Sequence, residues 1–142
     1  MTQTNDSGVA HVTGTLAAKA YSNVNVSSQS GASKSRLILM LLDGALARMG
    51  AGEAAIQRKD FEAKATNLTR AMDITLALKA SLDMESGGKL ARNLKNVYDF
   101  VERTLLLVIA RNDLEKLAQC RLHLNTIREG WVTVVDSELN PG

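Results

Sequence analysis

The chain has 142 residues, of which 45% are hydrophobic and 23% charged, with a formal net charge of +2, a balance that fits one ordinary domain and excludes collagen-like, low-complexity and highly charged disordered classes. Its only proline is Pro141, and Ala, Leu, Lys, Arg and Glu outnumber the β-branched and aromatic residues, so an all-α fold is expected. Cys120 stands alone, which excludes an internal disulfide; no apolar stretch approaches the roughly 20 residues of a membrane span, and the N-terminus lacks the charged start and apolar core of a signal peptide. A cytosolic chain without membrane insertion is the expectation.

Residues 1–32 are mostly Ser, Thr, Asn, Gln and Gly, with only Asp6 and Lys19 charged, and bury too little apolar area to offset their ordering entropy. They are expected to form a flexible arm. Within it Leu16, Ala17, Ala18, Ala20, Tyr21, Val24 and Val26 make an apolar island, able to form a short helix near 15–22 and dock on the rest.

Ser33 is a candidate N-cap for a first helix over 34–58. That helix opens on Leu37-Ile38-Leu39-Met40-Leu41-Leu42, six apolar residues without a gap, followed by Asp43-Gly44. On a helix such a run covers nearly the whole circumference, whereas a bundle helix buries one stripe. Apolar surface is therefore left over for a partner. Periodicity inside the run does not set its phase, so each of these leucines can be core or groove. Gly44, Gly50 and Gly52 lower the propensity of this helix by roughly 1 kcal/mol each, and Gly50 is where a kink or early fraying would fall.

Asp60 caps a second helix over 61–84, with Phe61, Ala65, Leu68, Met72, Thr75, Leu78 and Leu82 on one stripe and Ile74 and Leu76 beside it. Gly87-Gly88 turns the chain into a third helix over 89–110, whose stripe is Leu90, Leu94, Val97, Val101, Leu105 and Val108. Residues 105–110 are again six apolar residues in a row, with Phe100 and Leu106 off the stripe. Asn112 with Glu115 resembles a capping box for a fourth helix over 113–134, which carries Leu114, Leu117, Cys120, Leu124, Ile127, Trp131 and Val134. Residues 136–142 are expected to be a disordered tail. Four helices joined by short connections favour an antiparallel up-down four-helix bundle over 33–135.

Catalytic signatures are weak. A di-iron bundle enzyme needs Glu-x-x-His pairs on two helices, and the sequence has none; His11 and His123 do not build a metal site with the one cysteine. Gly31-Ala32-Ser33-Lys34-Ser35 and Gly87-Gly88-Lys89-Leu90 each miss an obligatory phosphate-loop residue, and Ser86-Gly87-Gly88-Lys89 lacks the companion elements of a Ser-x-x-Lys nucleophile. No catalytic residue, cofactor or metal is expected. Lys89, Arg92 and Lys95 are interleaved with Asp99 and Glu102, which reads as a solvated face and not as a nucleic-acid stripe. Surplus apolar surface instead points to protein binding.

The sequence resembles the flagellin-specific flagellar export chaperone family over most of its length. The resemblance is carried by Ala20-Tyr21 with Val24 and Val26, by Leu37-Ile38 through Met40-Leu41 to Asp43-Gly44-Ala45, and by Ser81-Leu82-Asp83-Met84-Glu85 running into Gly87-Gly88. It continues through Leu90-Ala91, Asn93-Leu94 and Tyr98-Asp99-Phe100 to Ile127-Arg128 and Trp131. It implies a non-enzymatic four-helix bundle that holds the disordered C-terminal segment of flagellin in the cytosol, prevents premature polymerisation and presents it to the flagellar type III export gate. It also implies that the arm, around Tyr21, occupies part of the client surface, and that the flagellar anti-sigma factor is a further partner. Leu39, Met40, Leu42 and Leu46 on the first helix, Ile74 and Leu78 on the second and Tyr21 in the arm are the expected partner-binding residues. Departures from the family pattern are Lys34 where a proline commonly follows the cap, Leu42 where an aromatic usually precedes Asp-Gly, and Ala18 where a larger apolar residue is expected. The alternative is a structural bundle whose surplus leucines make a weak homodimer or an adaptor contact, with no secretion client.

Overall fold

The computed structural model describes residues 33–140, and among these the secondary structure is four helices: α1 Lys34–Gln57, α2 Phe61–Ala80, α3 Gly88–Arg111 and α4 Leu114–Leu139. The arm and its apolar island lie outside the described residues. α1 starts where Ser33 accepts a hydrogen bond from the Arg36 amide at 3.1 Å, and α2 where Asp60 accepts from the Ala63 amide at 3.1 Å. Each cap satisfies one of the amides a helix start leaves without an intrahelical partner. α1 runs unbroken through Gly44, Gly50 and Gly52, because packing on both sides outweighs the weak propensity of three glycines.

Three boundaries differ from the sequence expectation. Asn112 does not cap α4: it takes the left-handed conformation at the end of α3 (φ 57°), and Asp113 is the cap, accepting from the Lys116 amide at 3.1 Å. Asparagine tolerates that conformation because its short polar side chain can bond locally. α2 ends at Ala80 rather than 84, since the Asp83 carboxylate takes the Glu85 and Ser86 amides at 3.1 and 3.0 Å and offers the backbone a turn in place of another helical turn. α4 runs on to Leu139, five residues beyond the expected end; Val135 is buried there and Glu138 accepts a hydrogen bond from Ser35 at the start of α1.

Each helix packs on its chain neighbour, and α1 also packs on α4, closing a square. Cross-helix bonds show neighbouring helices running antiparallel. Along α1, Ser35, Asp43 and Glu53 meet Glu138, Arg128 and Arg121 of α4 in descending order; along α2, Lys64 and Lys79 meet residues 109–112 and 99–102 of α3. The core between them contains Ile38, Leu42, Ala45 and Met49 from α1, Leu68, Ala71 and Leu78 from α2, Tyr98, Val101, Leu105 and Val108 from α3, and Leu117, Cys120 and Leu124 from α4. α1 and α2 approach closely at Gly52, where a Cβ would stand 2.8 Å from Leu68 Cγ.

Candidate protein-binding surface

The apolar run at the start of α1 resolves into three directions once its phase is known. Ile38 and Leu42 point into the core, with Leu42 at 0% exposure. Leu39 and Leu46 lie on the stripe that continues to Glu53, the side of α1 facing α4, and both are only partly buried. Met40 points outward and is 64% exposed. Leu37 and Leu41, partly buried, flank Met40 on the side facing α2.

The expected set of partner-binding residues is thus divided. Leu42 and Leu78, both at 0% exposure, offer no surface and belong to the core; Ile38, Leu42, Ala45 and Met49, at alternating steps of four and three, face inward, and Leu78 sits on the same inward stripe of α2 as Leu68, Ala71 and Thr75. Leu39 and Leu46 line the seam with α4. Met40 and Ile74 share the outer side of the α1–α2 seam, where Gly44 removes the ridge between them: Ile74 Cδ1 lies 3.5 Å from where a Gly44 Cβ would be. Tyr21 lies outside the described residues. Leu37, Leu41 and Gly44 complete this shallow apolar strip, which sequence reasoning did not assign because helix phase was open.

The outer face of α2 holds the more informative residues. Asp73 and Ala77 are 2% and 1% exposed, yet each is two positions from the core residue Thr75 and so about 200° around the helix from it. Of the described helices, α1 and α3 pack on α2, and Ala77 stands one turn from Ile74, which meets α1 at Gly44. Leu76 beside them is partly buried, while Arg70 and Thr66, one and two turns before Asp73, are exposed.

A polar network fixes the opposite flank of α2. Lys79 donates to Asp99 at 2.8 Å and to Glu102 at 2.6 Å, and Lys95 donates to Asp99 at 2.8 Å. The Lys79 and Lys95 hydrogen bonds hold the Asp99 carboxyl below the usual carboxylate range. Among the described residues no three His, Cys, Asp or Glu side chains converge as a metal site would require, and no helix is long and apolar enough to cross a membrane.

The family model for flagellar protein FliS matches residues 17–138. The chain belongs to that family. It is similar to a flagellar secretion chaperone FliS of Salmonella typhimurium, 38% identical over 115 residues that cover 80% of this chain and 85% of the relative. A Vibrio cholerae flagellar secretion chaperone FliS is 35% identical over 114 residues, 80% of this chain and 84% of the relative. The Pseudomonas aeruginosa flagellar secretion chaperone FliSB is 32% identical over 116 residues, 81% and 92% of the two chains. The FliS match reaches into all four helices and begins at residue 17, four residues before Tyr21.

Proposed function

We propose that this FliS-family chain is an export chaperone that binds the disordered C-terminal segment of flagellin in the cytosol, keeps it from polymerising and delivers it to the flagellar type III export apparatus. The family match over residues 17–138, with relatives named as flagellar secretion chaperones, carries the reading. The bundle supplies a physical basis. A disordered client loses ordering entropy on binding, so its partner must offer a long apolar surface with a few buried anchors. The strip of Leu37, Met40, Leu41, Gly44 and Ile74, continued over Leu76 and Ala77 on the outer face of α2, is that surface in this proposal. The arm of residues 1–32, anchored by Tyr21, is the proposed resident of the α2 part of it. The family match, which begins at residue 17 inside that segment, supports that assignment. Client and arm then compete for one face, and the arm shields the groove until a client arrives. The export gate and the anti-sigma factor are further partners under this reading.

Titration of a peptide covering the C-terminal segment of the cognate flagellin into the full chain tests it. We expect a negative heat-capacity change, a gain in helicity and a Kd well below about 100 μM, which corresponds to about 5.5 kcal/mol. Met40→Ser with Ile74→Ser should weaken binding, and deletion of residues 1–22 should strengthen it while leaving the bundle folded. Absence of binding at that concentration overturns the chaperone reading; unchanged affinity after the deletion overturns only the competition.

A further inference from the structure

On sequence alone the cations of α3 read as a solvated face, interleaved with Asp99 and Glu102. Tertiary contacts remove that balance. Both carboxylates turn to α2, where Lys79 takes them, and Lys95 is drawn into the same network. Lys89, Arg92 and Arg103 make no ion pair among the described residues and are exposed. At helical spacing, Lys89, Arg92, Asn96, Arg103, Leu107 and Ala110 fall on one outward stripe, with Leu106 at its edge. Leu106 and Leu107 are 57% and 42% exposed. The stripe is therefore basic toward the α3 N-terminus and apolar toward the C-terminus, over roughly 30 Å. Unlike the outer face of α2, it contains no buried residue.

We infer that the outer face of α3 is a second docking surface, for a helical segment of another protein that is acidic in one half and apolar in the other. Its charge sets the class of partner. Unpaired guanidinium groups recognise carboxylates by forked hydrogen bonds, and a pair of exposed leucines one turn further on supplies the apolar anchor that a purely electrostatic contact lacks. A nucleic acid fits less well. Phosphate tracking wants a continuous run of cations with aromatic platforms, and here the stripe ends in leucine and alanine, with no aromatic on it. The surface is separate from the α1–α2 strip proposed for the client, so occupation of one leaves the other open.

The test uses the full chain and designed amphipathic peptides of about 20 residues, long enough to span the stripe, with leucines in one half and glutamates in the other, made in both orders. Fluorescence anisotropy should show binding of one order that weakens as salt rises. Arg92→Glu with Arg103→Glu should weaken it by about tenfold or more and should gain affinity for the same peptide carrying lysines in place of glutamates. Leu106→Ser with Leu107→Ser should also weaken it, and circular dichroism checks that these surface variants stay folded. Arg36→Glu with Arg70→Glu, on the outer sides of α1 and α2, is the control for general polyanion attraction. An equal loss in that control, no binding of either peptide order, or failure of the charge swap to move specificity would overturn the proposal. So would tighter binding of a single-stranded oligonucleotide that is lost in the Arg92→Glu, Arg103→Glu variant.

Discussion

Gly52 shows how a residue chosen against local propensity is retained by packing. Alanine there should favour the helix by roughly 1 kcal/mol. Its Cβ, however, would stand 2.8 Å from Cγ of Leu68 and nearer still to Cδ2, and Leu68 is itself at 0% exposure. A buried leucine cannot step aside without disturbing its own neighbours, and overpacking of this kind costs about 1–3 kcal/mol. Gly52→Ala should therefore lower stability by about 1 kcal/mol net, measured as a lower urea midpoint at unchanged m-value; a higher midpoint would mean that Leu68 has room to move. Cys120 makes the complementary case of a residue whose chemistry is suppressed by packing. Burial pushes its thiol up to about 11, against the opposing hydrogen bond with Thr104, so it behaves as a small core side chain and not as a nucleophile.

At the scale of the helix, the instructive residue is Lys64. It is 7% exposed, and its ammonium donates to the Ile109 carbonyl and to Asn112 Oδ1, both at 2.6 Å. One side chain from the first turns of α2 thus closes the C-terminal end of α3, where carbonyls lack intrahelical partners and the dipole favours a cation. Lys64→Met keeps most of the apolar stem and removes the donor, leaving two acceptors short of a partner. A loss of about 1–3 kcal/mol is expected, with faster amide exchange at the end of α3 than elsewhere; uniform exchange would mean that the cap is redundant. Ser33 and Asp60 were legible as caps because capping is decided within four residues. Asn112 was not: Asn112 and Asp113 both suit the start of α4, and the bond from Lys64, 48 positions away, engages the first of them at the end of α3. The end of α2 was missed for a related reason, since apolar periodicity runs on through Leu82 while Asp83 withdraws the backbone into a turn.

Across the whole molecule, the network of Lys79 with Asp99, Glu102 and Lys95 joins α2 to α3 and links stability to pH. The folded Asp99 pKa lies below its ordinary 3.8, so its contribution is present above that value and is lost as pH falls through the folded one. Burial alone would lower the Lys79 pKa, but its hydrogen bonds to Asp99 and Glu102 outweigh that and raise it above the ordinary 10.5. Its contribution is therefore present below 10.5 and is lost as pH rises through the folded value. The network should be at full strength between those limits. Lys79→Met should cost about 1 kcal/mol at neutral pH, discounted for the partial exposure of the three side chains, and should make the decline at acid pH shallower in urea titrations. A variant with an unchanged acid limb would show that Asp99 gains nothing from Lys79.

Length, composition and the 3.6-residue period are enough to read the described residues as four helices in an antiparallel bundle, and local cap chemistry places two of the helix starts. Those properties depend on residues within a turn or two of one another. The phase of residues 37–42 is different: packing against helices that lie tens of residues away in the chain sends Leu42 inward and Met40 outward. Long-range contacts likewise settle which charges are spent. Asp99 and Glu102 look available to their own helix, but Lys79 on α2 takes both, and the cations they would have balanced are left facing outward. Surface is what remains after the long-range pairings are made, and for that reason the outward faces of the described helices are the part of this FliS-family protein least readable from its sequence.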